Sequence, residues 1–124
     1  MPAVVALVDD LIFVSRIREA ARGHGLEVRT VRRIPELLEA CREHGRLVVL
    51  DLDTPRLPVL EALSALRAEP ALSGLPVVGF FSHVHAERGR LARAAGCTHA
   101  LPRSAFVEEL HALLAAAAQA DPPG

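Results

Sequence analysis

The strongest constraint on this chain is an alternation: five short apolar runs, each followed by a segment whose apolar residues recur at helical spacing. "AVVALV" (3–8) is a continuous apolar run that stops at Asp9-Asp10, as a strand buried on both faces would. A helical pattern follows, with Phe13, Ile17, Ala20 and Ala21 on one face, closed by "GHG" at Gly23 to Gly25. "LEVRTV" (26–31) alternates as a second strand. "PELLEACREHG" then predicts a helix with Pro35 in its first turn and Gly45 past its end. "RLVVLDLD" (46–53) is a third buried strand, and "LPVLEALSALRAEP" (57–70) a third helix with Leu60, Leu63 and Leu66 inward. "LPVVGFFS" (75–82) predicts the fourth strand, "AERGRLARAAG" (86–96) the fourth helix and "THALP" (98–102) the fifth strand. "SAFVEELHALLAAAA" (104–118) closes the pattern as a helix with Ser104 as N-cap and Phe106, Leu110, Leu113 and Leu114 inward.

Five β-α units in 124 residues predict an α/β domain: a parallel sheet with helices on both faces. With so few strands, an open doubly wound sheet of flavodoxin-like order 2-1-3-4-5 is expected rather than a barrel. The expected boundaries are a single domain over 1–118 and a disordered tail over 119–124, "QADPPG". In such a sheet the ligand site lies at the carboxyl ends of strands 1 and 3, beside the point where strand order reverses. That geometry predicts that Asp9, Asp10 and Asp51 meet.

Composition excludes several function classes. The net charge is −1 and there is no Trp or Tyr, so neither a basic footprint nor an aromatic platform points to nucleic acid. No apolar run approaches the ~18 residues of a spanning helix, and "MPAVVALVDD" reaches paired acids without a basic leader. A cytoplasmic location without membrane contact is expected. Cys41 and Cys97 lack a C-x-x-C partner and are expected to be reduced structural thiols. His83 and His85 in "SHVHAE" have no third ligand within the pattern and are expected to be solvated loop residues edging the site, not a metal pair.

Three carboxylates crowded at strand ends raise one another's pKa unless a cation sits among them. Mg²⁺ is suited to that role, taking one or two carboxylates plus waters and a phosphoryl oxygen. A carboxylate beside such a metal can accept a phosphoryl group. The stretch "LDLDT" also fits, locally, the nucleophile loop of a haloacid-dehalogenase-type phosphatase, with Asp51 as nucleophile and Asp53 as acid/base. That reading needs a later Lys, and all fourteen basic residues are Arg; it also needs its acidic pair after the nucleophile, whereas Asp9-Asp10 precede it.

"VALVDD" and "VVLDLDTP", with "LPVV", "RAAGCTHAL" and the closing amphipathic helix, resemble the receiver domain of bacterial response regulators in order and spacing over essentially the whole chain. The resemblance implies that Asp51 is the phosphoacceptor. It implies that Asp10, Asp51 and the backbone carbonyl of Asp53 bind Mg²⁺, with Asp9 in support. It also implies a histidine kinase or phosphotransfer protein upstream, and a downstream partner read through helix 4, strand 5 and helix 5; a homodimer is open as well. Arg88, Arg93 and Arg103 fall on or near that face.

The departures from the family are equally specific. The Lys at the end of strand 5 is replaced by Arg103, a larger planar cation. Family spacing puts Phe81 where a switch hydroxyl stands, with Ser82 one place later, and the aromatic toggle of strand 5 falls near Ala100. Two signalling readings follow: an atypical receiver phosphorylated on Asp51, or a phosphorylation-independent module in which Arg103 is permanently paired with Asp51.

Overall fold

The computed structural model of the chain describes residues 1–120. Its strands are β1 (Ala3–Leu7), β2 (Glu27–Thr30), β3 (Gly45–Asp51), β4 (Val77–Phe81) and β5 (His99–Pro102). Its helices are α1 (Leu11–Arg22), α2 (Ile34–His44), α3 (Val59–Ala68), α4 (Ala86–Ala94) and α5 (Arg103–Gln119). All strand pairings are parallel and the order is β2-β1-β3-β4-β5, the doubly wound arrangement that the alternation predicts.

The period of two in a strand separates the core into two layers. Val5, Leu7, Val48, Leu50, Val77 and Phe81 face the layer closed by α2, α3 and α4. Val4, Ala6, Leu47, Val49, Val78 and Phe80 face the layer closed by α1 and α5. Neighbouring phenylalanines therefore point opposite ways, a parity that decides the chemistry of the site. Each fully buried Leu or Phe stabilises the fold by roughly 1.5–3 kcal/mol. Val4 and Val5 are 0 % exposed, as a strand covered on both faces requires.

Several local expectations are corrected. Leu60 is 37 % exposed, and α3 buries Val59, Ala62, Leu63 and Leu66 instead. The i, i+3, i+4, i+7 set thus starts one residue earlier, because the smaller Val and Ala sit inward while the Leu lies at the rim. Helix α5 begins at Arg103 after Pro102, so Ser104 lies inside the first turn and caps nothing. Leu113 is only partly buried, beside the inward Phe106, Leu110 and Leu114. At the other end α5 runs to Gln119; the tail expected over 119–124 falls mostly on 121–124, outside the described residues. Cys41 and Cys97 are buried free thiols, and burial pushes the Cys41 thiol up to about 12. Among the described residues, no helix is long and apolar enough to cross a membrane.

Candidate functional site

The carboxyl ends of β1 and β3 carry Asp9, Asp10, Asp51 and Asp53 into one open cleft of about 350 Å³, where Arg103 joins them from the first residue of α5. The three acids expected to meet do meet. Asp51 ends β3 and is 2 % exposed, the one buried charged side chain among the described residues.

Each acid has a distinct set of partners. Asp10 is the N-cap of α1: its Oδ1 accepts from the main-chain N–H groups of Ile12 at 3.0 Å and Phe13 at 3.2 Å. Its Oδ2 accepts from Arg103 Nη1 at 3.0 Å. Asp9 sits at the rim, between Arg32 Nη1 at 3.2 Å and Arg56 Nε at 2.8 Å. Asp51 Oδ1 accepts from the Asp53 N–H at 3.0 Å and lies 3.8 Å from Arg103 Nη2. Asp53 is the most heavily used. Its two carboxylate oxygens accept from the Ser82 N–H at 3.1 and 2.9 Å, Oδ1 lies 2.8 Å from His85 Nδ1, and Oδ2 accepts from Arg103 Nε at 3.1 Å.

One guanidinium therefore reaches three carboxylates: Asp10, Asp51 and Asp53. A Lys ammonium is a single point and could not span them; a planar fork can. The plane is also seated on aromatic rings, with Arg103 Cζ 4.6 Å from the Phe13 centroid and 4.9 Å from that of Phe80. Phe13, Phe80 and Phe106 pack together beneath it, with Phe13 and Phe80 centroids 4.7 Å apart and Phe80 and Phe106 5.1 Å apart. Neither Phe13 nor Phe80 is singled out as a site residue by the sequence. Their apolar spacing marks core, and the stacking partner comes from a residue more than twenty positions away.

The titration behaviour follows from these partners. Burial pushes the Asp51 carboxyl up, against the opposing pull of the Asp53 N–H and Arg103. Burial acts on Asp53 in the same direction but is outweighed by His85, Arg103 and the Ser82 N–H, so its pKa is lowered. Burial of Asp10 is likewise outweighed, by the Phe13 N–H and Arg103. Asp9 is lowered, chiefly by its hydrogen bond from Arg32. Asp51 is thus the carboxyl this pocket makes hardest to ionise.

The residues expected to bind Mg²⁺ do not fit a metal as they stand. Asp10 and Asp51 both face the Arg103 guanidinium, and the Asp53 carbonyl accepts from Arg88 Nη1 at 2.6 Å. A hard divalent cation would have to displace two arginines from the positions it needs.

The readout end departs further. Phe81 is 4 % exposed and lies in the layer with α4; a Cβ on Gly89 would overlap its ring, so α4 packs directly on it. Ser82 contacts the pocket through its main-chain N–H, and that bond goes to Asp53 rather than Asp51. His85 edges the site with a 40 % exposed side chain and bonds to Asp53. Arg88 turns inward to the carbonyls of Leu52 and Asp53, and Arg93 Nη1 donates to the Ala100 carbonyl at 2.9 Å. With Arg103 in the pocket, all three arginines expected near the partner-facing surface are engaged within the domain.

No family model and no curated protein sequence matches the chain. Solved structures do. The receiver domain of a sensor histidine kinase from Pseudomonas aeruginosa, with a magnesium ion coordinated in its active-site cleft, superposes with a TM-score of 0.76 at 16 % identity, over 96 % of this chain and 98 % of that one. The chemotaxis response regulator CheY4 of Vibrio cholerae gives 0.74 at 20 % identity over 94 % and 98 %. The phosphorylated cyanobacterial phytochrome response regulator RcpA gives 0.70 at 22 % identity over 92 % and 89 %. The chain is a doubly wound α/β domain with sheet order β2-β1-β3-β4-β5. More narrowly, its fold is that of the response-regulator receiver domains.

Proposed function

We propose that this chain is a cytoplasmic signalling module of receiver fold that works through protein–protein contacts, without turnover chemistry and without an Asp51 phosphoryl group. The observation that carries this reading is Arg103 seated among Asp10, Asp51 and Asp53. A phosphoryl group arriving at Asp51 needs a metal beside it to neutralise its charge, and the family resemblance adds a hydroxyl at the end of β4 to sense it. Here the metal's donors face arginines, and the β4 end offers a buried Phe81. The pocket's four carboxylates are met by arginines of the same chain: Arg103 reaches Asp10, Asp51 and Asp53, and Arg32 and Arg56 contact Asp9. The receiver fold supports a protein partner, met at the surface of α4, β5 and α5.

The phosphorylated reading keeps one observation in its favour: Asp51 stands at the end of β3 beside Asp10, where an acceptor belongs. The two readings separate in one experiment. The full chain is incubated with Mg²⁺ and acetyl phosphate, and separately with beryllofluoride, alongside a phosphorylatable receiver as control. Intact mass and backbone amide spectra are recorded. No adduct and unchanged amide shifts are expected. An adduct abolished by Asp51→Ala would overturn the proposal and restore a histidine kinase or phosphotransfer protein as the upstream partner.

A further inference from the structure

Asp53 joins more of the molecule than any other acid of the pocket. Its carboxylate holds the β4–α4 turn through the Ser82 N–H and His85, and it holds α5 through Arg103. Its main-chain carbonyl accepts from Arg88 in the first turn of α4, and the Leu52 carbonyl receives the same guanidinium nitrogen at 3.4 Å. The side chain is 14 % exposed, so these bonds form largely out of water, where they are stronger and where an unpaired partner costs more. Helix α4 is held a second way, because Gly89 brings its backbone onto the Phe81 ring.

From this we infer that Asp53, and not the buried Asp51, is the positioning residue that couples the pocket to α4, so that the placement of the β4–α4 turn depends on Arg103 being seated. Asp51 touches Arg103 at 3.8 Å and the Asp53 N–H, but no group of the β4–α4 turn. Asp53 lies between the two. When the guanidinium is in place, the Asp53 carboxylate is fixed with one oxygen toward Arg103 and the other toward His85, and both accept from Ser82. When the guanidinium leaves, the carboxylate loses its charged partner on one side and holds the turn through Ser82 and His85 alone. A device of this kind passes the state of an ion pair to a helix face without any phosphoryl group or switch hydroxyl. It rests on the ion-paired reading of the pocket.

The test is amide hydrogen exchange and side-chain NMR on the full chain, without Mg²⁺ or phosphodonor. Asp53→Asn is expected to raise exchange at Ser82 and through the first turn of α4 by about tenfold, as loss of a local anchor does. Asp51→Asn is expected to leave those amides within about twofold of the parent. The Arg103 Nε–H resonance reports the coupling itself: it exchanges slowly in the parent and in Asp51→Asn, and fast in Asp53→Asn. Should Asp53→Asn fail to fold, Arg88→Gln removes the carbonyl contact alone and must loosen the first turn of α4 while leaving β1 and β2 unchanged. The inference is overturned if exchange at residues 82–90 is unaffected by both Asp53→Asn and Arg88→Gln, or if Asp51→Asn loosens the turn as much as Asp53→Asn. A phosphoryl adduct at Asp51 would overturn the ion-paired reading while leaving these exchange results standing, so the two failures are distinct.

Discussion

The two ends of the pocket were built to different rules. At the β1 and β3 end, Asp9, Asp10 and Asp51 occupy the positions that an acidic, metal-assisted site would use. At the β4 and β5 end, Phe81 is packed under α4, Ser82 offers a main-chain N–H, and Arg103 reaches back across the sheet to the acids. The acidic end alone would call for a cation; the other end supplies one covalently. An acidic cluster is thus informative about ligand only together with the nearest fixed positive charge.

The largest effect is expected where the two ends are cut apart. Arg103→Met keeps the stem but removes the guanidinium from three carboxylates, leaving Asp51 buried without its cation. Breaking one partner of a buried ion pair costs about 3–5 kcal/mol, discounted here because the Arg103 side chain is 30 % exposed. A loss of about 2 kcal/mol by denaturant titration is the expected value. The same variant should bind Mn²⁺ measurably more tightly than the parent, by paramagnetic broadening of pocket amides. Arg103→Lys should recover less than half of the stability, since it loses both the fork and the stacking on Phe13 and Phe80. Full recovery by Lys would mean that charge alone matters and that the aromatic seat is incidental.

Next in size is Gly89→Ala, which tests the readout end alone. The added methyl overlaps the Phe81 ring, and overpacking of this kind costs about 1–3 kcal/mol. The loss should fall on α4 amides, and the Arg103 Nε–H resonance should shift with them, because Asp53 joins both. A resonance that stays put would show that the α4 packing and the ion pair are independent.

Titration separates the two central acids by sign. The pKa of Asp53 is lowered on folding, so its ionised form adds stability above its unfolded pKa, and that contribution is lost as pH falls through the depressed folded value. Asp53→Asn should therefore cost stability at neutral pH, and its difference from the parent should shrink once pH drops below about 4. The pKa of Asp51 is raised, so its ionised form opposes folding above the unfolded pKa, and the cost is relieved as protonation sets in. Asp51→Asn should be neutral or stabilising at pH 7, with the difference fading toward acid. Paired denaturant titrations across pH 3 to 7 check both signs; curves of the same sign would contradict the division of roles within the pocket.

What the chain reveals before folding, and what it hides, follows the same division. Strand ends are legible because a buried apolar run must stop somewhere, and the topology of a doubly wound sheet dictates which ends meet; this is why Asp9, Asp10 and Asp51 could be placed together. Arg103 was legible as a departure, and its pairing with Asp51 as one of two readings. Its seat on Phe13 and Phe80 was not, because aromatic spacing in α1 and β4 registers only as core. The inward turn of His85 and Arg88 was hidden for a different reason. Both partners lie in or beside loops, where no periodicity fixes the direction of a side chain. Asp53 shows the consequence: expected to offer a carbonyl to a metal, it gives that carbonyl to Arg88 and its carboxylate to three other groups.

The smallest expected effect lies at the rim, and it asks whether the acidic end needs its outer arginines at all. Arg32 and Arg56 contact Asp9 with side chains 60 % and 76 % exposed, where water and salt screen the attraction. Arg32→Gln and Arg56→Gln should each leave the melting temperature nearly unchanged, and any difference should vanish in molar salt. Both variants together remove two of the positive charges facing the four carboxylates, while Arg103 stays on its aromatic seat. If Arg103 is the cation that matters, the doubly substituted chain still shows the slow Arg103 Nε–H resonance and still fails to bind Mn²⁺. Metal binding in that variant would move the neutralising role outward from Arg103 to the rim and make the two ends of the pocket far more alike than the geometry indicates.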